Sequence, residues 1–139
     1  MNRTETTAAI IQIVLTYYPE TQAIYLFGSY GAGNAWPDSD LDIALLFTPE
    51  AAKTEQNLLI SPCRFDLEKA ISKEVDLLNA RQVSTVFQKE IISGIRIYCA
   101  DLYAADEFEM LVISYYQKLN QERSEILNAF YKTGRAYAV

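Results

Sequence analysis

The feature that most constrains the fold is a pair of short apolar runs separated by a polar spacer that contains glycine. The first run, residues 23–27, reads AIYLF and is followed by Gly28-Ser29; the second, residues 40–47, reads DLDIALLF. Apolar runs of this length, bounded by glycine and polar residues, predict buried strands. Ten residues lie between Ser29 and Asp40, which is enough for a loop or a short helix that turns the chain back.

The rest of the chain adds helices on both sides of these strands. Apolar residues at helical spacing predict helices, and short apolar runs predict two further strands. The expected helices are 6–18, 49–59, 64–71, 83–93 and 104–132, and the expected strands are 23–27, 40–47, 74–78 and 95–99. Counting 49–59 and 64–71 as one interrupted helical region, we expect an α/β fold with the order α-β-β-α-β-α-β-α, in which a small mixed β-sheet packs with helices and a long C-terminal helix closes the chain.

The chain is long enough for one domain with one core, so we expect a single domain over residues 1–139, with a catalytic core in 1–100 and the C-terminal helix in 104–133. Within that helix, Leu111, Tyr115 and Leu119 are expected to belong to the core. Only the tail past about Ile126 is expected to be available for a partner.

Composition excludes several classes of function. The chain has no histidine, which removes Ser-His-Asp triads, Cys-His dyads and histidine metal sites. Its net charge is −6, without a Lys/Arg cluster, so direct binding of nucleic acid is not expected. No long apolar run follows the N-terminus, so we expect no membrane span. Two cysteines far apart in sequence fit a reducing cytoplasm.

Asp40 and Asp42 suggest a metal site. On a strand, residues two apart point to the same face, and two adjacent carboxylates repel each other unless a cation compensates them. Mg²⁺ commonly takes one or two carboxylates together with substrate phosphates. Gly28-Ser29 suits the other half of such a site, because glycine allows close approach of the backbone and the following amides and hydroxyl can donate to phosphate.

The joint pattern of strand, Gly-Ser, ten residues and Asp-x-Asp resembles the signature of the polymerase-beta-like nucleotidyltransferase superfamily, in which the run PDSDLD is typical. The resemblance implies a third carboxylate on a neighbouring strand. Asp76 in EVDLL is the candidate, because its neighbours Val75 and Leu77 would point into the core; Glu74 and Asp66 are the alternatives. It also implies two Mg²⁺ ions on Asp40, Asp42 and Asp76, and ATP phosphates on Ser29 and the loop amides.

Nearly the whole chain is similar to the minimal nucleotidyltransferase antitoxins of the MntA family, which are encoded beside a HEPN-domain ribonuclease toxin. That resemblance implies an Mg²⁺-dependent protein adenylyltransferase, which moves AMP from ATP to a tyrosine of the toxin and thereby neutralises it. Two alternatives stay open: an antitoxin that acts by occlusion without chemistry, and a small-molecule nucleotidyltransferase of the aminoglycoside-modifying type.

One position departs from the family pattern. Many relatives carry an arginine in the loop after Gly-Ser, where this chain has Ala32. One cation near the triphosphate is therefore missing. Four basic residues are candidates to replace it: Arg64, Lys69, Lys73 and Arg81.

Overall fold

The computed structural model describes residues 2–28 and 40–133. Their helices and strands follow in this order: α1 (Arg3–Tyr17), β1 (Ala23–Phe27), β2 (Leu41–Leu46), α2 (Pro49–Thr54), a 3₁₀ turn (Leu58–Ile60), α3 (Pro62–Ile71), β3 (Val75–Asn79), α4 (Thr85–Ile92), β4 (Ile95–Cys99) and α5 (Leu102–Thr133). This order confirms the predicted α/β fold. The one clear difference is the stretch 49–59, where α2 ends at Thr54 and a separate 3₁₀ turn follows.

Helix boundaries follow from capping residues. The Asn2 side chain accepts a hydrogen bond from the backbone N–H of Glu5 at 2.8 Å, so α1 begins three residues earlier than its apolar pattern predicts. The side chains of Ser61 and Ser84 cap α3 and α4 in the same way. These side-chain oxygens satisfy amides that have no partner in the first turn of a helix.

The four strands form one mixed sheet in the order β3-β2-β1-β4. β1 is antiparallel to both β2 and β4, and β2 is parallel to β3. The parallel pair follows from the connection between the two strands, because α2 and α3 return the chain to the same end of the sheet before β3 begins. The starts of β2 and β3 therefore lie beside the end of β1.

Helices cover both faces of the sheet, and the alternation of side chains along each strand separates two apolar clusters. On one face, α1 and α3 pack on Ile24, Ile43 and Leu77. On the other face, α4 and the first part of α5 pack on Tyr25 and Ala44, among others. Asp42 and Asp76 alternate with residues of the first cluster, so their side chains face α4 and α5.

A polar network fixes α5 against the sheet. The Tyr25 hydroxyl donates to Glu109 Oε2 at 2.8 Å, and Arg96 Nη1 donates to the same oxygen at 2.7 Å and to Asp106 Oδ1 at 3.1 Å. Burial, followed by the hydrogen bond to Glu109, raises the pKa of Tyr25, so the phenol stays neutral and acts as a donor. Two strands thus hold one turn of α5 and set its rotation about its own axis.

Only the first third of α5 belongs to the core, which corrects one prediction. Ala105, Phe108 and Val112 are buried, whereas Leu111 is 46% and Tyr115 57% exposed. Leu111 lies on the flank of the inward stripe. Tyr115 lies beyond the last buried position, because the 32-residue helix, about 48 Å long at 1.5 Å per residue, extends past the sheet. Leu119, the third residue expected in the core, is only partly buried.

None of the helices in residues 2–28 and 40–133 combines the length and the apolar character needed to cross a bilayer. Both cysteines lie in this part of the chain, and each is a free thiol: Cys63 is buried and Cys99 is exposed.

Candidate active site

Two carboxylates meet at the strand ends. In the sheet register, Asp42 lies between Phe27 of β1 and Asp76 of β3. Since Asp42 and Asp76 are directly paired on parallel strands, their side chains project side by side from the same face. Val75 and Leu77 are fully buried on the opposite face, as the sequence predicts for the neighbours of Asp76.

The described residues around this pair disfavour the charged form of Asp42. Burial first, and then the charge of Asp76 and a hydrogen bond with it, raise the pKa of Asp42 from 3.8 to about 6. Asp40 and Glu90 add smaller contributions of the same sign. All of these causes disfavour the ionised form of Asp42, and a bound cation would reverse them.

Gly28 packs directly against this carboxylate. Its φ is +68°, and a Cβ atom built on it would lie 2.2 Å from Asp42 Oδ2. Glycine is therefore required twice at this position, by its backbone conformation and by the space that the carboxylate occupies. The sequence suggested that this glycine lets the backbone approach a ligand closely, and in the structure the group it approaches is Asp42.

The other predicted site residues differ in where they lie relative to this pair. Asp40 is exposed and directly precedes β2 rather than lying within it. Ser29 and Ala32 lie outside the described residues. Of the alternatives for the third carboxylate, Glu74 is exposed, and Asp66 accepts a hydrogen bond from the Tyr17 hydroxyl in the layer that covers the other face of the sheet.

A cavity of about 730 Å³ opens beside Gly28, between α4 and α5. We call it the α4–α5 cavity; its lining residues are Gly28, Val86, Lys89, Glu90, Ser93, Gly94 and Tyr116. Sequence analysis missed Lys89, Glu90 and Tyr116 as site residues. No local signal marks them, because they reach the strand ends only through the packing of α4 and α5.

Two of the four basic residues proposed to replace the loop arginine are engaged elsewhere. Arg64 donates to the carbonyl oxygens of Val75 and Leu59 at 2.7 and 3.0 Å. Arg81 donates to Phe47 O at 2.6 Å and to Gln22 Oε1 at 3.0 Å. The contacts of Arg81 lie at the end of the sheet opposite Asp42.

The other two basic candidates do not line the cavity. Lys69 is exposed on α3, in the layer across the sheet, and Lys73 is partly exposed in the turn after it. Neither belongs to the set of described residues around the α4–α5 cavity.

The donor set fits a hard divalent ion that is shared with a substrate. Within residues 2–28 and 40–133, no three acidic or thiol side chains are arranged as a complete metal cage. A pair of adjacent carboxylates is nevertheless what Mg²⁺ commonly uses when phosphate oxygens supply further ligands.

Comparison with known proteins identifies the family to which this chain belongs. The family described as polymerase beta, nucleotidyltransferase matches residues 9–103. The protein adenylyltransferase MntA of Shewanella oneidensis is 34% identical over 119 residues, which are 86% of this chain and 83% of that protein.

Solved structures extend the similarity to the closing helix. A toxin–antitoxin structure with AMP-PNP aligns with a TM-score of 0.68 and 28% identity, over 90% of this chain and 98% of that chain. The structure of a tri-AMPylated Shewanella oneidensis HEPN toxin in complex with an MNT antitoxin aligns with a TM-score of 0.66 and 26% identity, over 94% and 99% of the two chains. Because the family match includes every strand of the sheet and the MntA relative covers most of the chain, this protein belongs to the polymerase-beta nucleotidyltransferase family and, within it, to the MntA group.

Proposed function

We propose that this protein is the antitoxin of a HEPN/MNT toxin–antitoxin pair and transfers AMP from ATP to a tyrosine of its HEPN toxin. The observation that carries the proposal is the in-register pair of Asp42 and Asp76 beside Gly28. The similar MntA protein is named a protein adenylyltransferase, and a similar complex contains an AMPylated HEPN toxin.

In the proposed site, Asp40, Asp42 and Asp76 would hold two Mg²⁺ ions. Bound Mg²⁺ would neutralise charge on the phosphates and orient the reacting groups. Gly28 leaves room for the Asp42 carboxylate, and Ser29 with the amides of its loop would bind the β- and γ-phosphates of ATP. The protein itself would contribute mainly positioning and charge compensation.

The chemical step is a displacement at the α-phosphorus of ATP. The tyrosine oxygen of the toxin forms a bond to that phosphorus, the bond to the oxygen bridging the α- and β-phosphates breaks, and pyrophosphate leaves. The tyrosine proton passes to Asp76 or to solvent. Asp76 suits this role because it lies beside Asp42 and is only partly buried, so an acceptor hydroxyl can reach it.

The partner follows from charge and from exposed surface. A chain with a net charge of −6 favours a basic protein over nucleic acid as its direct target. The distal part of α5 offers Ile126 and Leu127, which are 58% and 52% exposed. We expect the toxin to contact this part of the helix in a hetero-oligomer, and we place the pair in the cytoplasm, where free thiols such as Cys63 and Cys99 are maintained.

The test is intact-mass measurement of the product of the neighbouring gene after incubation with this protein, ATP and Mg²⁺. We expect the partner to gain one or more AMP units. The gain should disappear when Asp42→Asn and Asp76→Asn are combined. It should persist with Glu20→Gln, which removes an exposed carboxylate far from the pair.

Two outcomes would contradict the proposal. If the toxin is silenced while its mass stays unchanged, the antitoxin acts by occlusion. If a small-molecule hydroxyl compound such as an aminoglycoside gains AMP and the partner does not, the reaction class stands and the target is wrong.

A further inference from the structure

Lys89 carries the positive charge in the α4–α5 cavity. Among the described residues that line this cavity, it is the one basic side chain, and Gly28 at the catalytic carboxylates lines the same space. Lys89 Nζ lies 3.1 Å from Ser93 Oγ and 5.5 Å from the centre of the Tyr116 ring. The ammonium group thus lies between a hydroxyl and an aromatic face, in the cavity that Gly28 also lines.

The rotation of α5 about its own axis accounts for the inward direction of the Tyr116 side chain. Its position continues the inward stripe of Phe108 and Val112 at a spacing of four residues, and Glu109, which anchors the helix through Tyr25, lies two turns earlier. At Tyr116 the helix has passed Val112, the last of its described residues that is buried against the sheet. The ring therefore packs over the Lys89 ammonium, an arrangement that cation–π attraction favours.

The site needs such a cation. Asp40, Asp42, Asp76 and Glu90 give this end of the sheet a strongly negative character, and a nucleoside triphosphate brings further negative charge. The loop offers Ala32 in place of an arginine, and Arg64 and Arg81 are committed to backbone carbonyls. Of the basic side chains in residues 2–28 and 40–133, Lys89 is the one that shares a cavity with Gly28.

We propose that Lys89, positioned by Tyr116 and Ser93, binds the β- and γ-phosphates of the nucleotide and takes the place of the missing loop arginine. This inference rests on the proposed function for the identity of the nucleotide. The ammonium is a point charge with three donors, which suits polyphosphate oxygens at variable angles. The cavity would hold the part of the triphosphate that leaves as pyrophosphate, while the α-phosphorus lies at Asp42 and Asp76.

A purely structural role for Lys89 would predict different results from a role in phosphate binding. It lies in the last turn of α4, where a lysine interacts favourably with the helix dipole and stabilises the helix. If that were its whole role, its removal would lower the unfolding temperature and leave the affinity for polyphosphate unchanged.

The experiment measures binding of ATP and of inorganic tripolyphosphate, each with Mg²⁺, by titration calorimetry. We expect Lys89→Gln to weaken both by about 10-fold to 100-fold, the usual range for one hydrogen bond to a charged group. Lys89→Arg should stay within about threefold of the original protein, since it keeps the charge. Lys118→Gln is the matched control, because it removes an exposed lysine of α5 that does not belong to the described lining of the cavity. It should bind both ligands as the original protein does.

Kinetics separate this inference from the proposed function. With the toxin as acceptor, Lys89→Gln should raise the KM for ATP with a smaller change in kcat. Affinities for tripolyphosphate within twofold of the original protein, with or without a loss of thermal stability, would overturn the inference. If the original protein binds tripolyphosphate through Lys89 and transfers no AMP, the inference stands and the proposed function fails.

Discussion

Replacing Asp42 with asparagine should make the metal-free protein more stable while it abolishes AMP transfer. The folded state raises the pKa of Asp42 from 3.8 to about 6. The fold therefore favours the protonated form, and stability is lost as the pH rises from about 4 through about 6. Asparagine has nearly the same shape and cannot ionise, so it avoids this loss.

The magnitude follows from the two pKa values. Their difference corresponds to about 3 kcal/mol above pH 7. Asp42 is only partly buried, so solvent screening reduces the expected gain to about 1–2 kcal/mol. A stabilising substitution at a proposed catalytic residue is typical of sites that concentrate like charge for function.

Urea unfolding in EDTA measures this effect. At pH 7.5 we expect Asp42→Asn to raise the free energy of unfolding by about 1–2 kcal/mol with an unchanged dependence on urea. At pH 4.5 the gain should shrink to about a third, because folded Asp42 is then mostly protonated and only the unfolded chain, with its pKa of 3.8, is ionised. Saturating Mg²⁺ should also narrow the difference, since the ion binds the original protein more tightly.

Glu20→Gln provides the control, as an exposed carboxylate outside the cluster; its free energy of unfolding should change by less than about 0.5 kcal/mol. The reasoning is refuted if Asp42→Asn is no more stable than the original protein at pH 7.5 in EDTA. It is also refuted if the gain is the same at pH 4.5.

Three further substitutions test other parts of the structure. Gly28→Ala places a Cβ 2.2 Å from Asp42 Oδ2; the displaced carboxylate should lower the rate of AMP transfer about 100-fold, and equal rates in a single-turnover assay would contradict this. Gly94→Ala brings a Cβ to 2.1 Å from the carbonyl oxygen of Leu26, and because neither backbone can yield easily, it should cost at least about 2 kcal/mol in urea unfolding. Leu127→Asp changes a half-exposed residue, so it should leave the unfolding temperature unchanged and weaken co-elution with the toxin in size-exclusion chromatography; an intact complex would place the toxin elsewhere.

Much of the site could be predicted from short-range patterns. The apolar runs predicted the strands β1 and β2 and the loop between them. The spacing from Gly28 to Asp40 and Asp42 indicated that the glycine and the two carboxylates belong to one motif. The resemblance implied a third carboxylate, and Asp76 was favoured because its apolar neighbours occupy the opposite face of the same strand. Each of these inferences depends on residues within one strand or across one loop, where periodicity fixes the direction of the side chains.

The tertiary structure decided what depends on distant parts of the chain. Parallel pairing of β2 with β3 brings Asp42 and Asp76 into register, and the packing of two helices brings Lys89 and Tyr116 together. The long helix shows the limit most clearly. Its apolar period predicts which face turns inward, as at Phe108 and Val112, but it does not tell how far the sheet extends beneath it, so Tyr115 was expected in the core and is exposed. Sequence determined the chemistry of the carboxylates, and the fold decided which side chains share the cavity beside Gly28, because a side chain's direction is a local property whereas its neighbours depend on how the whole chain packs.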